Sequence, residues 1–138
     1  MMSFDLFVGH FTEGATSTFH KKVIEEAFKS VTTSTGTYCL TVCFDKNNEE
    51  CSYIYHDGEH SLIDSFSINR PVRNINLFKI LLGILSQGNF VLYLPGNCPP
   101  LVGSESTISH IPHDMVDALG TPVMLKSADE IIEWIQNA

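Results

Sequence analysis

Residues 74–87 constrain the fold of this chain more than any other segment. Leu77, Phe78, Ile80, Leu81, Leu82, Ile84 and Leu85 are spread almost all the way round a helix, interrupted only by Lys79 and Gly83. A helix at a protein surface carries one apolar stripe, whereas one like this must be covered on more than one side. The run falls well short of the ~20 residues that cross a bilayer. It therefore predicts a core helix, ended by Gly88. The unbroken apolar stretch Phe90, Val91, Leu92, Tyr93, Leu94 that follows predicts a strand inside a sheet.

The remaining pattern supplies layers for that helix to pack against. Residues 3–8 alternate as a strand, and residues 18–30 place Phe19, Val23, Ile24, Ala27, Phe28 and Val31 at helical spacing. Tyr38, Leu40, Val42 and Phe44 alternate, the run 45–48 has turn chemistry, and Cys51, Tyr53 and Tyr55 alternate on the return. Leu62, Asp64, Phe66 and Ile68 share a phase and predict a third strand of an antiparallel meander. Pro112 opens a helix through Leu119, capped by Gly120, and 122–125 reads as a short strand. Ser127 and Glu130 form a capping box for a last helix, whose Ala128, Ile131, Ile132 and Ile135 share one face. Trp134 flanks that face. The expectation is one α+β domain over residues 1–138. It has a mostly antiparallel sheet of about five to six strands, in the order β-α-β-β-β-α-β-α-β-α.

The formal charge is −8 and unevenly distributed. Residues 1–79 carry seven cations against ten acids, a net −3, and residues 80–138 carry one against six, a net −5. Phosphate backbones are repelled by such a surface, so nucleic acid is an unfavoured partner and a basic protein a favoured one. No signal segment or membrane span is legible, and a cytoplasmic protein is expected. The cysteines fit that placement: Cys39, Cys43, Cys51 and Cys98 form no CxxC pair, and the expectation is small, reduced, largely buried thiols.

Catalytic signatures are missing. There is no GxSxG, GxGxxG or GxxxxGK, and only two arginines are available to grip an anionic substrate. Of the six histidines, His56 and His60 flank a turn with Asp57 and Glu59, where ordinary turn chemistry explains them better than a metal. His110 and His113 bracket Pro112 without an HExxH pattern. Asp64, in phase with Leu62 and Phe66, is expected to face the core and to need Arg70, Arg73 or backbone donors. The Asn69-Arg70-Pro71 turn and the loop after Tyr93-Leu94-Pro95-Gly96 are the expected binding edge. No cofactor or metal is expected, and oligomeric state is left open.

Several stretches are familiar together: Phe4 to Val8, Ile68 to Pro71, Val91 to Gly96 with Pro99 to Val102, and Ile111 to Val123. They resemble an uncharacterised family of small bacterial proteins whose short acidic members are similar in style to immunity proteins. The resemblance implies no catalytic residues. Together with the small size, the excess acid after residue 80 and the missing catalytic signatures, it favours a non-enzymatic binding protein that neutralises a bacterial toxin; the charge pattern makes Asp114, Asp117, Asp129, Glu130 and Glu133 the expected acidic surface, with Trp134 as an aromatic anchor. The alternative is a small enzyme or ligand-binding domain with a pocket near Asp64, Arg70, Tyr93 and His110. Reversing the charges of Asp129, Glu130 and Glu133 is expected to slow association with a basic partner, read as a lowered on-rate. An unchanged on-rate removes the last helix from the binding surface.

Overall fold

The computed structural model describes residues 4–137. The chain is α+β, and its main sheet is larger than the sequence pattern predicts. Strand β1 (Leu6–Thr12) turns through β2 (Ala15–Thr16) to β3 (Phe19–His20), helix α1 (Lys22–Ala27) and β4 (Thr32–Thr35). Then come β5 (Cys39–Cys43), β6 (Cys51–Tyr55), β7 (Leu62–Ile63), β8 (Ser65–Asn69) and helix α2 (Ile75–Leu85). The last third holds β9 (Phe90–Tyr93), β10 (Leu101–Val102), helix α3 (His113–Leu119), β11 (Val123–Met124) and helix α4 (Ala128–Asn137). The sheet runs β11-β10-β9-β1-β8-β6-β5-β4, with β2 added to β1, and β3 and β7 form a separate pair. Every pairing is antiparallel except β10 with β11.

Alternation along the strands divides the side chains into two sets. Leu6, Val8, Leu40, Val42, Ile54, Phe66, Ile68, Leu92 and Leu101 bury against α1, α2 and α4 in the main core. Helix α2 is its centre: Leu77, Phe78, Leu81, Ile84 and Leu85 are all fully buried. Its start is fixed by Asn74, whose Oδ1 accepts the Asn76 N–H at 2.9 Å. This is the side-chain cap that the first turn of a helix needs. At its far end Gly103 comes so close that a Cβ there would lie 2.6 Å from the Leu85 carbonyl carbon. On the other side of the sheet, Phe11, Val91, Val102 and Ile111 form a second, smaller cluster under Met115 and Val116 of α3.

Polar side chains fasten the irregular parts. Asn89 donates from Nδ2 to the Phe11 carbonyl at 2.9 Å, and its own N–H donates to Oγ1 of the buried Thr107 at 2.9 Å. Ser52, also fully buried, donates to the Arg70 carbonyl and accepts from the Val72 N–H, each at 2.9 Å. In the β1–β2 hairpin, Glu13 and Gly14 have φ of 50° and 80°. Two successive positive φ values are the requirement of the tight turn whose twist matches flanking strands.

Four sequence expectations need correction. The predicted helix at 18–30 begins instead as β3, because Phe19 pairs with Ile63 and packs edge-on to Phe66 and Phe90, and only 22–27 is α-helical. The predicted strand through Leu62 and Ile68 breaks at Asp64. Leu62 is exposed, Ile63 buried, and the phase resets before Phe66, so Asp64 is solvent-exposed rather than core-facing. The five to six strands of the sheet become nine among the described residues, since short or polar strands such as β4 carry no alternation to read. Lastly, Cys43 and Cys51, directly opposed on β5 and β6, form a disulfide, whereas Cys39 and Cys98 are free thiols. Position 3, the predicted start of the first strand, lies outside the described residues.

Closing so small a loop restricts the unfolded chain by about 2 kcal/mol on chain-entropy grounds. Cys43→Ser combined with Cys51→Ser is therefore expected to lower unfolding free energy by roughly that amount in urea titrations. No change in the urea midpoint would mean that the disulfide does not form in solution.

Candidate functional site

The smaller cluster under α3 covers only one end of its side of the sheet. Beyond it the same face is open, and the strand register assembles a row across it. Tyr93 pairs with Phe7, Phe7 with Ser67, Ser67 with Tyr55, and Tyr55 with Cys39. Phe7 and Tyr93 stack with ring centroids 5.9 Å apart and planes 16° from parallel. Phe7 and Tyr55 remain 39% and 43% exposed, which is unusual for large side chains in the middle of a sheet.

Pairing between β6 and β8 stops at Tyr55 and Ser67, and the two strands part. The split opens a concavity of 490 Å³ beside the aromatic row. Phe7, Ser67, Phe66, Tyr55 and Tyr93 are among the residues that line it. The segment 56–65, which connects the parted strands, supplies His56, Asp57, His60 and Asp64 to its wall. His60 Nδ1 donates to Asp57 Oδ2 at 2.7 Å, and the Glu59 N–H donates to Asp57 Oδ1 at 3.1 Å. The hydrogen bond from His60 holds the Asp57 carboxyl below the usual range, so it is ionised at neutral pH. Asp64 accepts from Ser65 Oγ at 3.0 Å. Burial, reinforced by the negative charge of Asp64, pushes the Tyr93 phenol up, so it stays a neutral donor. Among the described residues no Lys or Arg lines the concavity.

His56 differs from its neighbours. It is 91% buried (9% exposed), and among the described residues neither ring nitrogen has a hydrogen-bond partner. Its backbone is fixed by donation to the Tyr38 carbonyl at 3.1 Å. The loop geometry is equally fixed. Gly58 lies so tightly against Thr37 that a Cβ there would overlap the Thr37 carbonyl oxygen, and Lys21 Nζ donates to the Gly58 carbonyl at 2.8 Å.

Of the expected pocket residues, Asp64 and Tyr93 line this concavity together. Arg70 and His110 do not. Arg70 sits in the turn after β8 with φ 52°, and His110 Nδ1 accepts the Glu13 N–H at 2.9 Å, clipping the β1–β2 hairpin. The expected acidic surface is divided. Asp114 and Asp117 are exposed on α3, which packs on the smaller cluster, whereas Asp129, Glu130 and Glu133 lie on α4, on the opposite face of the sheet. Glu130 turns back to accept the Lys126 N–H at 3.2 Å, and Trp134 is half-buried against the main core. Among the described residues no three His, Cys, Asp or Glu side chains are placed to hold a metal ion, and no helix is long and apolar enough to cross a membrane.

Sequence reasoning missed Phe7, Tyr55 and His56. The signal for His56 was its phase: it follows Ser52 and Ile54 at a period of two, on the buried side of β6. Comparison of the chain with protein-family models, with curated proteins and with solved structures finds no match in any of the three.

A buried imidazole without partners forfeits its hydration, a penalty of about 1–3 kcal/mol. His56→Leu is therefore expected to leave stability unchanged or raise it by up to about 2 kcal/mol in urea unfolding. Destabilisation of similar size would mean that the imidazole has a structural role.

Proposed function

We propose that this chain is a non-enzymatic binding protein that takes a basic protein partner on the open face of its sheet. An immunity protein that neutralises a bacterial toxin domain is its most specific form. The observation that carries the reading is the row formed by stacked Phe7 and Tyr93 with exposed Tyr55, beside Asp57 and Asp64, where no Lys or Arg among the described residues lines the concavity. Aromatic side chains contribute large contact area at small entropic cost, and central aromatic anchors dominate interface energies. A formal charge of −8 steers a basic partner toward the chain and repels phosphate backbones. Cytoplasmic action belongs to this reading. In that compartment the Cys43–Cys51 pair would be kept reduced.

The open face replaces the acidic helices as the centre of the interface. Acids on α3 and α4 point to opposite sides, so one partner surface cannot meet all five at once. Their contribution is to long-range steering. A second reading, a small ligand-binding domain, draws on the 490 Å³ concavity that Asp64 and Tyr93 share.

The two surfaces separate in one experiment. A tagged chain is used to capture its partner from native lysate, alongside a Phe7→Ser, Tyr55→Ala, Tyr93→Ala variant and the α4 charge-reversed variant. The expected result is a basic protein retained by the parent and the α4 variant and lost from the face variant, an affinity loss of at least about thirtyfold. Equal capture by the face variant refutes the proposal.

A further inference from the structure

We propose that the free edge of strand β4 pairs with the same edge of a second copy of this chain, joining the two sheets about a two-fold axis. The proposal is separate from the open-face reading, since it concerns the end of the sheet. Strand β4 closes the strand order, with β5 as its one neighbour among the described residues. Just beyond it the Gly36 N–H donates to the Cys39 carbonyl at 2.8 Å. By the alternation of an antiparallel ladder, the Thr35 N–H and C=O therefore point away from β5. Such an edge is a template for a further strand, and proteins that keep it unpaired place Lys or Pro on it, shorten it or add a bulge. Strand β4 is short and its register shifts between Thr32 and Ser34, but residues 30–44 contain no Asp, Glu, Lys, Arg, His or Pro. Thr33, Ser34 and Thr35 are exposed.

What selects a second copy is the groove beside this edge. Glu25 of α1 and Lys29, in the 3-10 turn that leads into β4, line a groove of 260 Å³ together with Thr32, Thr35 and the buried Leu40. The register shift sets Thr32 opposite Val42 and Thr35 opposite Leu40, so both threonines share the core side of the sheet, where α1 lies. Among the described residues neither Glu25 nor Lys29 is in an ion pair. A two-fold axis normal to the sheet runs the two edges antiparallel and keeps both α1 helices on one side. It also reverses the order of groups along the edge, so Glu25 of each copy meets Lys29 of the other. Between them uncharged Thr and Ser lie opposite one another, a favourable cross-strand pairing. The edge is thus self-complementary, as an isologous interface must be. A foreign strand matches both charges only if it carries the same pair in reversed order.

The test is sedimentation equilibrium of the intact chain at low salt, from about 10 µM to about 1 mM. A pairing of four-residue strands is small beside a standard interface, so a reversible dimer with a Kd of roughly 10–500 µM is expected. Thr35→Pro removes the outward N–H and is expected to weaken the dimer at least about tenfold. Glu25→Lys leaves the sheet backbone untouched and sets like charges together twice across the axis. It is expected to weaken the dimer about tenfold, and adding Lys29→Glu is expected to restore the parent Kd. A chain that stays monomeric throughout the range overturns the proposal; if Thr35→Pro then also abolishes partner capture, the edge takes a foreign strand instead. A dimer unchanged by Thr35→Pro overturns edge pairing. One unchanged by Glu25→Lys, or left weak by the double change, overturns the two-fold match. A dimer lost with Phe7→Ser, Tyr55→Ala, Tyr93→Ala forms through the open face, which also refutes the edge.

Discussion

The structure depends on burying helix α2 against one face of the sheet. Its five fully buried side chains share one core with residues of strands from both halves of the chain, with α1 and α4 lying against it. At about 1.5–3 kcal/mol for each large apolar side chain removed from water, this one element supplies a sizeable share of the folding drive. Everything else is arranged around it: Asn74 starts it, Gly103 allows close approach at its end, and α4 covers what the sheet leaves open.

One consequence is an asymmetry between the two sides of the sheet. All the long apolar elements lie on the α2 side, and only α3 with the 3-10 turn before it is left for the other. That cover extends over Phe11, Val91 and Val102 and stops. Tyr93 packs against its edge, and Phe7 and Tyr55 are what remains. Their exposure follows from how the helices are distributed, and the parting of β6 from β8 adds depth to an otherwise flat surface.

Legibility in the sequence followed the strength of local patterning. Helices α2 and α4, strand β9 and the β5–β6 hairpin were readable because one period persists through each, or because a cap marks its end. Strand β3 was hidden because Phe19 and His20 also fit the helical spacing of the residues after them, and only pairing with Leu62 and Ile63 decides between the two. Strand β4 is Thr and Ser on the sheet's edge, without apolar alternation. At the site, Tyr93 and Asp64 were legible from their neighbourhoods. Arg70 and His110 were wrongly grouped with them because strand register, which no single-strand pattern encodes, decides what stands beside what. The phase break at Asp64 is the sharpest case: one residue out of step turned an expected core carboxylate into a wall of the concavity. The acids of α3 and α4 were likewise read as one surface because sequence proximity carries no information about which side of a sheet a helix takes.

Strand β1 lies between β8 and β9, so both of these neighbours are made after it, β8 first and β9 later. Until β8 is made, Leu6, Phe7 and Val8 belong to an apolar stretch without either partner, a form prone to wrong associations. Pairings this distant in sequence also slow the search for the native state. Phe7, part of the mature protein's uncovered aromatic surface, is thus also a residue that waits, during synthesis, for shelter.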